Sequence, residues 1–159
     1  MKKITIIIIA LAAVLLTSCK VDNWTDWRTQ NEMWLAANAS KEGVQTSETG
    51  LQYKILYLGN TSDTKPDDAS SVICSYTGKL INGYVFDSAA GATMSVSGVV
   101  DGFAEGIKKI HNHGDIELYV PYYLAYGDSI RGVEGSLSAT VIPPYSTLIF
   151  NVHINSVLK

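Results

Sequence analysis

The sequence predicts an α+β fold, and three observations predict it. Apolar residues alternate with polar ones along several short stretches, the period of strands that bury one face. Within the C-terminal two-thirds, only one segment of consequence repeats its apolar residues at helical spacing. Between two extended stretches lies Asn82-Gly83, the strongest short hairpin dipeptide, so neighbouring strands run antiparallel. One amphipathic helix and several antiparallel strands imply a sheet that buries one face against that helix.

Each element follows from its residues. Leu51, Tyr53, Ile55 and Tyr57 alternate with less buried neighbours, giving a first strand. Gly59 to Ser71 carries Asp63-Thr64-Lys65-Pro66-Asp67-Asp68, a loop composition. Val72 to Leu80 gives a second strand, in which Cys74 shares a face with Val72 and Tyr76 and reads as an inert core thiol. After the Asn82-Gly83 turn, Val85-Phe86 resumes extended structure. Asp101 is expected to cap the helix, with Phe103, Ile107 and Ile110 on one face and Gly114 reversing the chain behind it. Ile116, Leu118 and Val120 form a third strand that Pro121 stops, and Leu148, Phe150, Val152 and Ile154 form the last.

The N-terminal part reads differently. Met1-Lys2-Lys3 is a positive start, and Ile4 to Leu16 is an apolar run too short for a membrane span but suited to a secretory leader. It ends in Leu16-Thr17-Ser18-Cys19, which resembles a bacterial lipobox. Residues 1–18 are therefore expected to be a lipoprotein signal peptide, with Cys19 carrying the lipid. More than one acyl chain there would hold the protein stably on a membrane. Residues 19–50 read as a tether: a short helix is plausible from Trp27 to Ala39, followed by a Ser-, Thr- and Gly-rich linker from Lys41 to Gly50. The expected location is the bacterial cell envelope, lipid-anchored and facing the periplasm.

Composition removes several function classes. The 159 residues carry a formal net charge of −3 with no basic stripe, which argues against nucleic acid as a partner. His111 and His113 are a possible metal pair, but no third ligand lies in sequence range and His153 is in a strand elsewhere, so no metal is expected. There is no nucleophile elbow and no Gly-rich phosphate loop. No cofactor is expected.

Four motifs in order carry a resemblance. Tyr76-Thr77-Gly78, Asn82-Gly83 and Phe86-Asp87-Ser88 come first, then Val99-Val100-Asp101-Gly102-Phe103 with Glu105-Gly106. Pro121 with Leu124-Ala125-Tyr126-Gly127 and Ile142-Pro143-Pro144 with the closing Leu148-x-Phe150-x-Val152 strand complete the set. Together they resemble the FKBP-type peptidyl-prolyl cis-trans isomerases over residues 51–159. The resemblance implies a twisted antiparallel sheet wrapped around one short helix.

It also implies an activity, interconversion of the peptide bond before proline in unfolded or exported polypeptides; the shortness of the N-terminal segment, without long helices, makes a monomer the expectation. That reaction makes and breaks no covalent bond. Its barrier of about 18–20 kcal/mol comes from amide resonance, so the requirement is an apolar cup that favours the twisted amide. By resemblance the cup is lined by Tyr76, Phe86, Val99, Val100, Phe103, Tyr126, Ile142 and Phe150, with Asp87 at its rim as a polarised acceptor. Phe103 would floor it where the family usually has Trp. The Val100 N–H and the Tyr126 hydroxyl would hold substrate carbonyls. Ala92 stands where an aromatic wall is expected, and the loop Asp128 to Thr140 is longer than in the shortest members. A second reading, a non-catalytic peptide-binding chaperone or scaffold on the same fold, is separated from the first by an isomerase assay.

Overall fold

The computed structural model describes residues 23–132 and 141–158. The segment expected to be a leader, Cys19 and most of the 128–140 loop lie outside those residues. In chain order the elements are α1 (Asn23–Asn38), β1 (Gln45–Thr46), β2 (Gln52–Tyr57), β3 (Ser71–Lys79), β4 (Val85–Ser95), α2 (Asp101–Ile107), β5 (Asp115–Val120) and β6 (Leu148–Leu158). The strands make one antiparallel sheet in the order β1-β2-β5-β6-β3-β4. The α+β reading stands.

Alternation sets the two faces of this sheet. Leu118 on β5, Phe150 on β6 and Gly78 on β3 lie side by side in register, and Ile116, Val152 and Tyr76 form the next row. These positions, with Cys74 opposite Ile154, look inward. Ile116, Leu118, Val120, Cys74 and Ile154 are fully buried there, together with Ile107 and Ile110 from the helix side. Helix α2 presses onto β5 through Gly102 and Gly106, one turn apart. A Cβ at either would collide with Val120 and Leu118 respectively, so only glycine allows this close approach.

The helix differs from expectation at both ends. Its N-cap is Val100, whose carbonyl accepts from the N–H groups of Phe103 at 2.9 Å and Ala104 at 3.0 Å. Asp101 is thus the first helical residue rather than the cap, placed where a carboxylate complements the helix dipole. Ile110 lies in the turn beyond the helix yet is completely buried. Strand β4 is also far longer than its Val85-Phe86 signal, because Ala89, Ala90 and Ala92 on this edge strand bring little apolar bulk.

The short helix expected from Trp27 to Ala39 is present, and it packs against the sheet. Helix α1 has 16 residues and is docked on the outer face of the sheet, where Tyr119 lies between the inward Leu118 and Val120. Trp34 packs on Tyr119 with ring centroids 5.8 Å apart, and the Trp27 indole N–H donates to Ser146 Oγ at 3.0 Å. Two buried asparagines fix the helix. Asn31 Oδ1 accepts from the Thr147 N–H at 2.7 Å, and Asn38 Nδ2 donates to Gln52 Oε1 at 2.9 Å. Gln52 Nε2 in turn donates to the Leu35 carbonyl at 3.0 Å. Docking through buried polar side chains leaves no strong apolar stripe in the sequence, so the helix was legible but its packing on the sheet was not. Part of the expected linker forms β1, paired with β2. Among the described residues no helix is long and apolar enough to cross a membrane.

Candidate functional site

The site begins with a missing side chain. A Cβ on Gly78 would come within 2.6 Å of the Phe86 ring and 2.9 Å of the Phe150 ring. Glycine there lets the two rings meet edge to face over the strand, centroids 5.6 Å apart and planes at 88°. Phe103, carried in by α2, meets Phe150 at 5.1 Å and 83°, and Tyr76 meets Phe103 at 6.0 Å and 75°. Each ring turns an edge toward its neighbour, the arrangement that aromatic quadrupoles favour. Phe86, Phe103 and Phe150 are each under a tenth exposed, so the wall is held by packing.

These rings surround a cavity of about 380 Å³. Tyr76, Phe86, Asp87, Val99, Val100, Phe103, Tyr126 and Phe150 all line it. Ile142 does not. Its side chain is 6% exposed in the core, and its backbone forms a two-way bridge to Arg131, with N···O distances of 2.9 and 3.0 Å.

The polar groups are few and fixed. The Tyr76 hydroxyl donates to Asp87 Oδ2 at 2.6 Å. Burial, then the hydrogen bond to Asp87 and its charge, push the Tyr76 phenol well above its usual range, so it remains a donor. Asp87 itself is exposed at the rim. Because Val100 is the N-cap, the helix uses its carbonyl and has no use for its N–H. Tyr126 follows a 3-10 turn begun at Pro121; its loop is pinned by Gly127 N–H donating to the Tyr122 carbonyl and Tyr145 N–H donating to that of Gly127, both at 2.9 Å.

Four further lining residues escaped the sequence reading: Met94, Gly98, Ala125 and Arg131. Met94 supplies the wall where Ala92 left a gap, with its sulfur 3.7 Å from Cys74 Sγ. Ala125 was visible inside the Leu-Ala-Tyr-Gly motif. Arg131 carried no local signal, since only the bridge to Ile142 places its guanidinium 4.9 Å from the centre of the Tyr126 ring.

The arrangement can enclose an apolar ring and hydrogen-bond amide carbonyls. Cys74 lies under the sheet rather than on the cavity surface, and burial pushes its thiol up to about 11. Outside the cavity, His111 Nδ1 sits 3.1 Å from the Asp63 carbonyl and His153 Nδ1 2.9 Å from Asp115 Oδ1. Among the described residues no group of three His, Cys, Asp or Glu side chains is positioned to hold a metal.

Comparison with known proteins places this geometry. Residues 62–155 match the family model described as FKBP-type peptidyl-prolyl cis-trans isomerase, and residues 20–55 match that of the domain amino-terminal to it. The chain is 40% identical over 136 residues to the outer membrane protein MIP of Legionella longbeachae, covering 83% of this chain and 54% of the relative. It is 39% identical over 129 residues to the FKBP-type 22 kDa peptidyl-prolyl cis-trans isomerase of Escherichia coli K12, covering 79% and 58%. The chain thus spans little more than half the length of these curated relatives. The crystal structure of FkpA from Escherichia coli superimposes with a TM-score of 0.76 at 32% identity, covering 99% of this chain and 72% of that one.

Proposed function

Since the chain belongs to the FKBP-type peptidyl-prolyl cis-trans isomerase family, we propose that its cavity binds prolyl peptides and catalyses cis/trans isomerisation of the preceding bond. The observation that carries this reading is the convergence of Tyr76, Phe86, Phe103 and Phe150 on one hollow rimmed by Asp87. The proline ring sits on Phe103 and Phe150, shielded from water. A desolvated amide loses the solvent hydrogen bonds that favour its planar, charge-separated form, so twisting becomes easier. The Val100 N–H and Tyr126 hydroxyl hold flanking carbonyls while the bond turns. No group need act as nucleophile or base. Each ~1.4 kcal/mol by which the twisted amide is favoured over the planar one gives tenfold in rate.

The substrates are proline-containing unfolded or exported polypeptides, acted on in the bacterial envelope by a protein anchored through acylated Cys19. The relative named as an outer membrane protein supports that location. The docked helix α1 and the isomerase domain beginning at residue 51 then act as one body at the membrane surface.

A protease-free isomerisation assay on X-Pro peptides tests the activity. Wild-type protein is expected to accelerate exchange. Tyr126→Phe removes one hydrogen-bond donor without opening the core, and kcat/KM should fall roughly two- to tenfold. Phe86→Ala, which opens the wall, should fall further. Exchange at the uncatalysed rate with every peptide tried would overturn the reading and leave a binding module.

A further inference from the structure

We infer that Arg131 makes the cavity receptive to substrates with an acidic side chain flanking the proline. The inference rests on the peptide-binding role given to the cavity above. Among the described residues two charged side chains line the hollow, those of Asp87 and Arg131. The Asp87 carboxylate is engaged by the Tyr76 hydroxyl at 2.6 Å. The Arg131 guanidinium lies on the Tyr126 ring at 4.9 Å, and among the described residues it makes no ion pair. Its backbone is clamped to Ile142 by two hydrogen bonds, so the side chain starts from a fixed point beside the cavity.

The chemistry follows from what each face of the guanidinium does. Stacking on Tyr126 uses a face of the planar cation and leaves its N–H edge free to fork onto a carboxylate. Tyr126 is also the residue whose hydroxyl is assigned to a substrate carbonyl, so the cation stands next to the peptide's path. Without Arg131 the lining would carry a single negative charge, and an acidic flank would meet repulsion from Asp87. With it, Glu or Asp beside proline finds a partner, and Lys or Arg is disfavoured. Apolar preference comes from the rings; charge preference comes from the loop.

The test compares Glu-Pro, Gln-Pro and Lys-Pro peptides with the full chain, its Arg131→Gln variant and its Arg131→Lys variant. Both affinity, by calorimetric titration, and kcat/KM are read as ratios, which cancels any change in folded fraction. Exposed ion pairs of this kind change binding by about two- to fivefold. The wild type should therefore favour Glu-Pro over Lys-Pro by roughly that factor. Arg131→Gln should abolish or reverse the order, and Arg131→Lys should keep part of it. The preference should also shrink at 1 M salt, where the screening length is about 3 Å. A Glu-Pro to Lys-Pro ratio that is the same in wild type and Arg131→Gln overturns the inference, even if isomerase activity is intact. Charge-selective binding that vanishes in Arg131→Gln, without any catalysis, sustains the inference and removes the isomerase reading instead.

Discussion

Replacing Gly78 by alanine isolates the packing that shapes the cavity. The backbone at Gly78 has no left-handed torsion, so alanine itself fits the strand. In the unfolded chain the change is favourable by about 0.4–1 kcal/mol, because alanine has fewer conformations to lose. In the folded protein the new methyl would stand 2.6–2.9 Å from atoms of Phe86 and Phe150, distances that Cβ atoms do not tolerate. Both rings are nearly buried and locked edge to face, so neither can swing freely aside. Overpacking of this kind costs about 1–3 kcal/mol. The net expectation is a loss of up to about 2.6 kcal/mol, read as a lower urea midpoint at unchanged slope. Both rings line the cavity, so shifting them alters its wall, and kcat/KM on a fixed X-Pro peptide should drop more than the loss of folded protein explains. A Gly78→Ala protein as stable as wild type and equally active would refute the claim that these rings are pinned by the bare strand.

Two further outcomes are expected. Asn31→Ala removes the acceptor for the buried Thr147 N–H, so the protein should lose about 1–3 kcal/mol and Thr147 amide exchange should accelerate; unchanged exchange would mean α1 does not hold that segment. Cys74 has its thiol raised from 9.0 to about 11 by burial, so the unfolded chain releases this proton first. The folded state then binds more protons between those values, and its contribution to stability, full below pH 9, is lost as pH rises through about 11. In a Cys19→Ser protein, a thiol reagent at pH 8 should label Cys74 only as fast as the protein opens, and immediate labelling would contradict its burial.

How much of this was legible depended on where the apolar bulk lies. β2, β3, β5 and β6 announced themselves because inward residues such as Tyr53, Val72, Ile116 and Val152 recur at every second position. β4 did not beyond Phe86, since Ala89 and Ala92 satisfy the pleat with almost no hydrophobic signal. α1 was legible as a helix from Trp27 onward, but its docking was not: Asn31 and Asn38 are 1% exposed, and buried polar side chains look like solvent-facing ones in a sequence. The cavity residues were legible only through resemblance. Periodicity places Tyr76 and Phe150 on the inner face with ordinary core residues, and cannot say which rings border empty space. Arg131 had neither pattern nor motif, because its position follows from a bridge to Ile142, 11 residues away.

The same packing that folds the sheet also explains why the hollow persists. Phe103 touches Phe150 and Tyr76, yet it rides on a helix whose distance from β5 is set by Gly102 and Gly106. Phe86 and Phe150 are set by Gly78 in the same way. Three glycines therefore let three large rings come together as one wall, and the hollow that this wall borders is a consequence of the core rather than a gap left in it. A reaction that only twists an amide needs this kind of site, because its whole advantage lies in being dry and correctly shaped before the peptide arrives. Rigid rings cannot close over a bound chain, however. Selection among peptides then falls to the exposed parts of the lining, above all the loop bearing Tyr126 and Arg131, where charge rather than shape can differ without disturbing the fold.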